Sequence, residues 1–253
     1  MTNTLWTSPA HQPRTRLQPW VLPADALSSA STSAKLEGSL EGFEPISLDE
    51  MDSVSLLNRV DTKYIIPVGK LPPVLGLLPD DYRILVVKGQ RFNHYRTLYF
   101  DTPRFDLFNM HVNGRADRYK VRSREYVDTH LSFLEVKHKT RKERTIKQRL
   151  STDHPMLRVE RQAEKWLENV YPYESNALEP KIWNTFTRIT LVRLEHNERV
   201  TLDVDITFFN ANRVARLDGV AIAEVKLDAQ DRSSPFISQM REKHLQPRGF
   251  SKY

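Results

Sequence analysis

Two adjacent segments decide the fold: Arg118-Tyr-Lys-Val-Arg-Ser-Arg-Glu-Tyr126 and Leu131-Ser-Phe-Leu-Glu-Val-Lys-His-Lys139. In both segments a run of charged residues stands at every second position. Consecutive side chains of a β-strand point to opposite faces of its sheet. The first segment therefore places four cations on one face, and the second places Glu135, Lys137 and Lys139 on one face. The pair predicts an antiparallel hairpin with one charged face and one apolar face.

The same alternation recurs along the chain. The charged faces carry Thr145, Lys147 and Arg149, then Arg199, Thr201, Asp203 and Asp205, then Glu224 and Lys226. Four cations spaced at about 7 Å in one strand repel each other, so we expect a counter-anion. A single-layer sheet with this face in water is the simpler alternative. Closing the sheet would turn the charge inward, and a barrel of about eight strands has room for one small ligand. The predicted fold class is α+β, a closed antiparallel β-barrel with flanking helices.

The remaining strands and helices are predicted from the spacing of apolar residues and from the position of turn-forming residues. We predict strands at 64–66, 82–87, 92–100, 182–194, 199–209 and 220–227, with 82–87 and 92–100 paired around the turn at 88–90. Helices are predicted at 71–78, from Asp153 to about 170, and at 235–245. Residues 1–45 are rich in Ser, Ala, Pro and Thr without apolar periodicity, and they predict a disordered arm before a single domain over 46–253.

Composition limits the ligand and the compartment. Residues 115–149 contain twelve basic and five acidic residues, a net +7, and this equals the whole excess of residues 46–253 in a chain of formal net charge +6. Such a segment predicts an anionic partner: a phosphate chain, nucleic acid or an acidic membrane face. The absence of cysteine excludes disulfides, thiolate zinc sites and cysteine nucleophiles. With no apolar run of spanning length and no signal-peptide pattern, we expect a soluble cytoplasmic protein.

Eight short motifs in order resemble a known family. They are Arg59-Val-Asp-Thr-Lys-Tyr64, Tyr99-Phe-Asp-Thr102, Lys120-Val-Arg-Ser-Arg124, Phe133-Leu-Glu-Val-Lys137, Arg188, Arg199-Val-Thr-Leu-Asp203, Ala223-Glu-Val-Lys226 and Phe250-Ser-Lys-Tyr253. Their order is similar to that of the VTC domain, the catalytic part of the vacuolar transporter chaperone polyphosphate polymerase. The resemblance covers about residues 43–253. It implies a triphosphate tunnel metalloenzyme that moves the γ-phosphate of ATP onto polyphosphate.

The resemblance also implies site residues, position by position. The catalytic cations would be Lys63, Arg122, Arg124, Lys137, Lys147, Arg188, Arg199 and Lys252. Further substrate-binding cations would be Lys120, Lys139, Arg149 and Lys226. Glu224 is similar to the family's metal-binding glutamate for Mn²⁺ or Mg²⁺, and Glu135, Asp203 and Asp205 are additional metal candidates.

Three functions stay open from the sequence. The first is a polyphosphate polymerase, the second a hydrolase of tripolyphosphate or nucleoside triphosphates, and the third a non-catalytic polyphosphate-binding module. The phosphatase and cyclase branch of the superfamily begins with a Glu-x-Glu-x-Lys strand, whereas Arg59, Asp61 and Lys63 occupy those positions, so the metal site of that branch is not expected here. The expected partners are ATP and polyphosphate. No nucleic acid is expected, because aromatic residues are not interleaved among the cations of residues 118–124 as a base-stacking surface needs. We expect no membrane insertion by this chain, and a separate membrane protein as receiver of the product stays open.

Overall fold

A computed structural model of the chain describes residues 32–52, 59–142, 144–228 and 233–253. Its strands are β1 (Pro45–Ile46), β2 (Arg59–Pro67), β3 (Arg83–Leu85), β4 (Asn93–Asp101), β5 (Arg118–Tyr126), β6 (Leu131–Lys139), β7 (Thr145–Thr152), β8 (Glu179–Arg193), β9 (Glu198–Phe209), β10 (Val214–Arg216) and β11 (Val220–Asp228). Its helices are α1 (Thr32–Leu36), α2 (Leu48–Asp52), α3 (Leu71–Leu75), α4 (Asp106–Val112), α5 (Arg161–Val170) and α6 (Pro235–Glu242). None of the helices in these ranges has the length and apolar character needed to span a lipid bilayer.

One large sheet dominates the fold. Its strands follow the order β2-β11-β9-β8-β4-β5-β6-β7, and every neighbouring pair in that order is antiparallel. Within the described ranges β2 and β7 do not pair with each other, so the predicted closed barrel is not confirmed. Residues 145–149 of β7 are all exposed, as expected for a strand with one unpaired edge.

The apolar face of the sheet packs against helices, as the alternation predicts. One core forms where α1, α3 and α6 cover β2, β11, β9 and β8, and it contains Val200, Leu202 and Val204. A second core forms where α4 and α5 cover β4, β5 and β6, and it contains Val121 and Leu134. Consecutive side chains of a strand point to opposite faces of the sheet. Because these apolar side chains pack against the helices, the charged residues of the same strands lie on the other face.

The segment before the sheet is folded where the structure describes it. Leu36, Leu40 and Phe43 are buried in the first core, in contact with β2 and α3 residues. Residues 32–45, which composition assigned to a disordered arm, therefore belong to the domain. These three apolar residues have the i, i+4, i+7 spacing of a helix. They form only a short run among Ser, Gly and Glu, which is below the window that a periodicity prediction needs. Residues 1–31 of the predicted arm lie outside the described residues.

Two local predictions are wrong. Strand β3 does not pair with β4, because Ile84 and Leu85 instead bury their side chains against β8 and run parallel to β1. The turn at 88–90 is closed only by a bridge between Val87 and Gln90. The helix expected from Asp153 begins at Arg161, because the Met156 N–H donates to Ser123 Oγ at 2.8 Å and holds the preceding residues against β5. The last helix was predicted correctly, with Ser234 capping its N-terminus through Ile237.

Candidate functional site

The charged face encloses a cavity of about 450 Å³. Both end strands line it, so the sheet curves around this space although its edges do not pair. Its walls carry twelve basic side chains against three acidic ones. The basic residues are Arg59, Lys63, Arg118, Lys120, Arg122, Arg124, Lys137, Lys139, Lys147, Arg188, Lys226 and Lys252, and the acidic ones are Asp61, Asp203 and Glu224. The structure thus brings together ten of the twelve cations selected from the sequence.

A row of three lysines crosses the floor of the cavity. Lys120, Lys137 and Lys147 lie directly opposite one another on β5, β6 and β7. Side chains in such cross-strand positions are about 5 Å apart at Cβ, and like charges there destabilise the sheet. Arg122 and burial lower the pKa of Lys137 well below its usual value. Lys147 reaches Glu135, but among the described residues Lys137 has no carboxylate partner. The row therefore concentrates positive charge on one strip of the cavity wall.

Glu135 is fully buried beneath this floor, in contact with cations on both sides. Its Oε2 accepts from Arg122 Nε at 2.7 Å and lies 2.6 Å from Arg122 Nη2, and its Oε1 pairs with Lys147. Burial opposes its ionisation, but Arg122, Arg124 and Lys147 together hold its pKa at about 2. Glu135 is absent from the cavity lining. Glu135 is therefore better placed to orient Arg122 than to bind the metal ion that the resemblance implied.

A second buried pair lies on the opposite wall. Arg188 Nε and Nη2 donate to the two carboxylate oxygens of Asp203 at 2.6 and 2.8 Å, and Lys252 Nζ also contacts Asp203. Burial again opposes ionisation, yet Arg188 and Lys252 hold the pKa of Asp203 far below its usual value. Asp203 therefore stays charged, and it fixes the plane of the Arg188 guanidinium and the position of the Lys252 ammonium group. A bidentate contact of this kind leaves little room for a metal ion on the same oxygens.

Arg124 differs from the other two buried arginines. It is 7% exposed, and its guanidinium lies over the rings of Tyr95 and Phe186, 5.5 and 5.8 Å from their centroids. Its Nε donates to Thr97 Oγ1 at 3.2 Å. Burial and Arg122 lower its pKa. In the described part of the chain no carboxylate pairs with Arg124, so its fork remains available for phosphate oxygens.

Glu224 is the best candidate for a metal ligand. Its Oε2 lies 3.0 Å from Lys226 Nζ, and it faces Lys63 across the β2–β11 pair. Although burial opposes ionisation, Lys226 and Lys63 hold its pKa at about 2. No group of three His, Asp or Glu residues suited to a metal occurs within residues 32–52, 59–142, 144–228 and 233–253. One ionised carboxylate fits Mg²⁺ or Mn²⁺ that arrives with bound phosphates, since such ions commonly use one or two carboxylates plus substrate oxygens.

Besides Glu135, three selected residues lie away from the cavity lining. Asp205 has φ +52° at a β-bulge of β9, which turns Ile206 inward against Phe186 and Ile222. The Asp205 carboxylate instead accepts from the Thr32 and Ser33 N–H groups at 2.7 and 3.1 Å, capping α1. We therefore withdraw Asp205 as a metal ligand. Period-two counting fails here because a bulge shifts every later residue to the other face.

The other two are cations at the periphery. Arg149 lies opposite Glu135, is exposed, and packs its guanidinium 4.8 Å from the Phe133 ring centroid. Arg199 lies opposite Lys226 but donates from Nη2 to the Met51 carbonyl oxygen at 3.5 Å. Neither side chain lines the cavity. Each stands at a strand position that points to the charged face, as the alternation predicts, but lies at an edge of that face.

The end of the chain forms part of the site, which strand periodicity did not predict. Lys63 Nζ donates to the Phe250 carbonyl oxygen at 3.0 Å, and Lys120 Nζ donates to Ser251 Oγ at 2.7 Å. Tyr253 stacks on Tyr99 with 4.7 Å between ring centroids, and its hydroxyl donates to Asp101. These contacts hold Lys252 inside the cavity. An extended segment without alternation carries no local signal for such a position.

The family model of the VTC domain matches residues 58–253. This chain belongs to the VTC domain family. The match contains every strand that lines the cavity together with the C-terminal residues that reach into it. No curated protein sequence shows detectable similarity to the chain.

The chain also resembles solved structures at low sequence identity. A candidate adenylate cyclase from Bacillus halodurans superposes with a TM-score of 0.50 at 12% identity, covering 77% of this chain and 94% of that one. A second, from Vibrio parahaemolyticus, has a TM-score of 0.46 at 16% identity over 77% and 95% of the two chains. A Hippeastrum adenylyl cyclase candidate, described as having a dominant triphosphatase activity, has a TM-score of 0.45 at 14% identity over 77% and 91%. The first likeness supports the fold, and none of the three assigns an activity to this chain.

Proposed function

We propose that the cavity binds the phosphate chains of ATP and polyphosphate and that the protein transfers the γ-phosphoryl group of ATP to a polyphosphate end. The row of Lys120, Lys137 and Lys147 carries this proposal. Lys120 and Lys137 are partly buried and Lys147 is exposed at the edge. Like charges directly opposite one another raise the free energy of the folded chain unless an anion lies over them. A linear polyphosphate supplies negative oxygens along its length, which suits a row of cations crossing three strands.

The arginines would supply orientation. Arg122 and Arg188 are held in plane by Glu135 and Asp203, so little side-chain freedom would be lost when they bind phosphate oxygens. Arg124 adds a guanidinium group that has no carboxylate partner among the described residues and can donate to two phosphate oxygens. In phosphoryl transfer, positioning and electrostatic stabilisation of the charge on the transferred group provide most of the rate enhancement. These cations meet that requirement from several walls of one cavity.

The reaction itself needs no nucleophile from the protein. A terminal oxygen of polyphosphate forms the new bond to the γ-phosphorus, and the bond from that phosphorus to the β–γ bridging oxygen breaks, releasing ADP. A divalent ion held by Glu224 and the bound phosphates would neutralise charge on the leaving group. Lys63 and Lys226 flank that carboxylate and keep it ionised. Water as the acceptor in place of polyphosphate would give hydrolysis in the same cavity.

The product of turnover tests this proposal. Purified protein is incubated with ATP, Mn²⁺ and a short polyphosphate primer, then resolved on a polyacrylamide gel stained for polyphosphate while free phosphate is measured in parallel. A ladder of lengthened polyphosphate is the expected result. Free phosphate without a ladder would replace the polymerase by a hydrolase. Binding of both ligands without turnover would leave a polyphosphate-binding module.

The lysine row predicts a pH dependence of binding. Burial, and then the charges of Lys63, Arg122 and Arg118, lower the pKa of Lys120 to about 7. A bound phosphate chain favours the protonated amine, so binding takes up a proton above that pH. The affinity for tripolyphosphate should therefore fall as pH rises through 7, by at most about tenfold per pH unit from this group. Titration calorimetry in buffers of different ionisation enthalpy measures both the affinity and the proton uptake.

Lys120→Arg is the matched variant for this measurement. Arginine keeps its charge at all these pH values, so the variant should lose part of the pH dependence and of the proton uptake. Titration of tripolyphosphate itself contributes equally to both proteins and cancels in the comparison. Identical pH profiles for the two proteins would contradict the role of Lys120.

A further inference from the structure

A second cleft opens onto the cationic cavity. It has a volume of about 850 Å³, and we call it the mouth. The mouth and the cavity share lining residues from β2, β11, α4 and the C-terminal segment, among them Lys63, His111 and Glu224. The two spaces are therefore adjacent. Whatever is attached to a phosphate chain lying in the cavity has this cleft as its neighbouring space.

One wall of the mouth is an apolar face of helix α4. Phe108, His111 and Val112 lie three and four residues apart, so they share one side of the helix. Phe108 is 38% exposed and Val112 is 62% exposed. The backbone at this point is anchored, because Asp101 accepts from the Leu107 and Phe108 N–H groups at 2.9 and 2.8 Å. A fixed, half-exposed aromatic ring thus lies at the entrance of a charged cavity.

The C-terminal segment forms the facing wall. The Arg248 N–H donates to the Lys63 carbonyl oxygen at 2.8 Å, which ties this segment to β2. The Phe108 and Tyr253 rings meet edge to face, with 5.6 Å between ring centroids, so Tyr253 helps to hold the Phe108 ring in place. Phe250 also lines the mouth. The cleft is therefore lined by aromatic rings on two elements that hydrogen bonds hold in place.

The mouth and the cavity differ in the charge of their lining residues. The cavity walls are overwhelmingly cationic, whereas the mouth places Asp61 and Glu224 beside Lys63 and Arg248. Phosphates are drawn to the cavity, and an uncharged flat group is suited to the mouth. Aromatic side chains bind nucleobases by stacking without sequence preference, because every base has a π-face.

We propose that the mouth is a nucleobase site, in which the base of a nucleoside triphosphate stacks on Phe108 while its phosphates pass Lys63 into the cavity. This inference rests on the proposed function, since it needs the phosphate chain in the cavity. It assigns Phe108 the task of distinguishing nucleotides from inorganic phosphate chains. A ligand without a base gains nothing from that ring.

The comparison of ATP with tripolyphosphate tests this assignment. Dissociation constants for both ligands are measured by titration calorimetry with Mn²⁺ present, for the wild type and for Phe108→Ala. The constant for ATP is expected to rise by about five- to twentyfold, the lower range for loss of one stacking contact. The constant for tripolyphosphate should change by less than about twofold. Phe108→Trp keeps a stacking surface and should keep the affinity for ATP.

Phe105→Ala is the matched control. Phe105 is 45% exposed and lies three residues before Phe108, yet it does not line the mouth. Its removal should leave both constants unchanged. Equal weakening of ATP and tripolyphosphate by Phe108→Ala would overturn the inference, because the ring would then act through the cavity itself. No change in either constant would overturn it as well. Failure of the wild type to bind either ligand would instead refute the proposed function and this inference with it.

Discussion

Replacing Arg124 with methionine is expected to lower kcat/KM for ATP by about 10²- to 10³-fold without lowering the free energy of unfolding. Arg124 is buried beside the stacked rings of Tyr95 and Phe186 and has no carboxylate partner among the described residues. A buried guanidinium without a counter-charge is desolvated at a cost, and a methionine of similar length removes that cost. The loss should therefore appear in turnover and binding alone. Steady-state kinetics and urea unfolding of the same preparation measure the two effects.

Arg149→Met is the control for this variant. Arg149 is also an arginine over an aromatic ring on the charged face, but it is exposed and lies outside the cavity lining. Its replacement should change kcat/KM by less than about twofold. Arg124→Lys keeps the charge and loses the fork, so an intermediate activity is expected. A fall in stability of Arg124→Met that accounts for its lost activity would show that Arg124 has a structural role.

Replacing Glu135 with glutamine is expected to have the opposite pattern, a loss of about 3–5 kcal/mol in the free energy of unfolding. The carboxylate is fully buried between Arg122 and Lys147, so its removal leaves two cations facing each other. Tripolyphosphate should restore more stability to Glu135→Gln than to the wild type, because its oxygens replace the missing negative charge. Urea unfolding with and without tripolyphosphate measures both values.

The pH dependence of this pair has a defined sign. The folded-state pKa of Glu135 is about 2, below the ordinary value of 4.5. Its contribution to stability is therefore complete above about pH 4.5 and is lost as pH falls towards 2. Glu135→Gln should lack this part of the acid transition.

Glu125→Gln is the comparison for the buried pair. Glu125 contacts Arg96 in a partly exposed ion pair, which should be worth no more than about 1 kcal/mol. Equal stability losses in Glu125→Gln and Glu135→Gln would contradict the special position of the buried pair.

The charged face could be predicted from the sequence because strand alternation is local. Arg118, Lys120, Arg122 and Arg124 share a face wherever the strand lies in the sheet, and all four line the cavity. The prediction fails at Asp205 for the same reason. A bulge at that residue reverses the parity, and nothing in the neighbouring sequence marks it.

The sequence by itself determined the long strands that line the cavity, their apolar and charged faces, and the excess of cations that calls for an anion. Only the tertiary structure decided which cations are neutralised. Glu135 pairs with Arg122, and Asp203 with Arg188, while Arg124 and Lys137 have no carboxylate partner in the described ranges. It also decided that the C-terminal segment enters the cavity and that the sheet edges stay apart. These outcomes depend on contacts between residues far apart in the chain, which no local periodicity encodes.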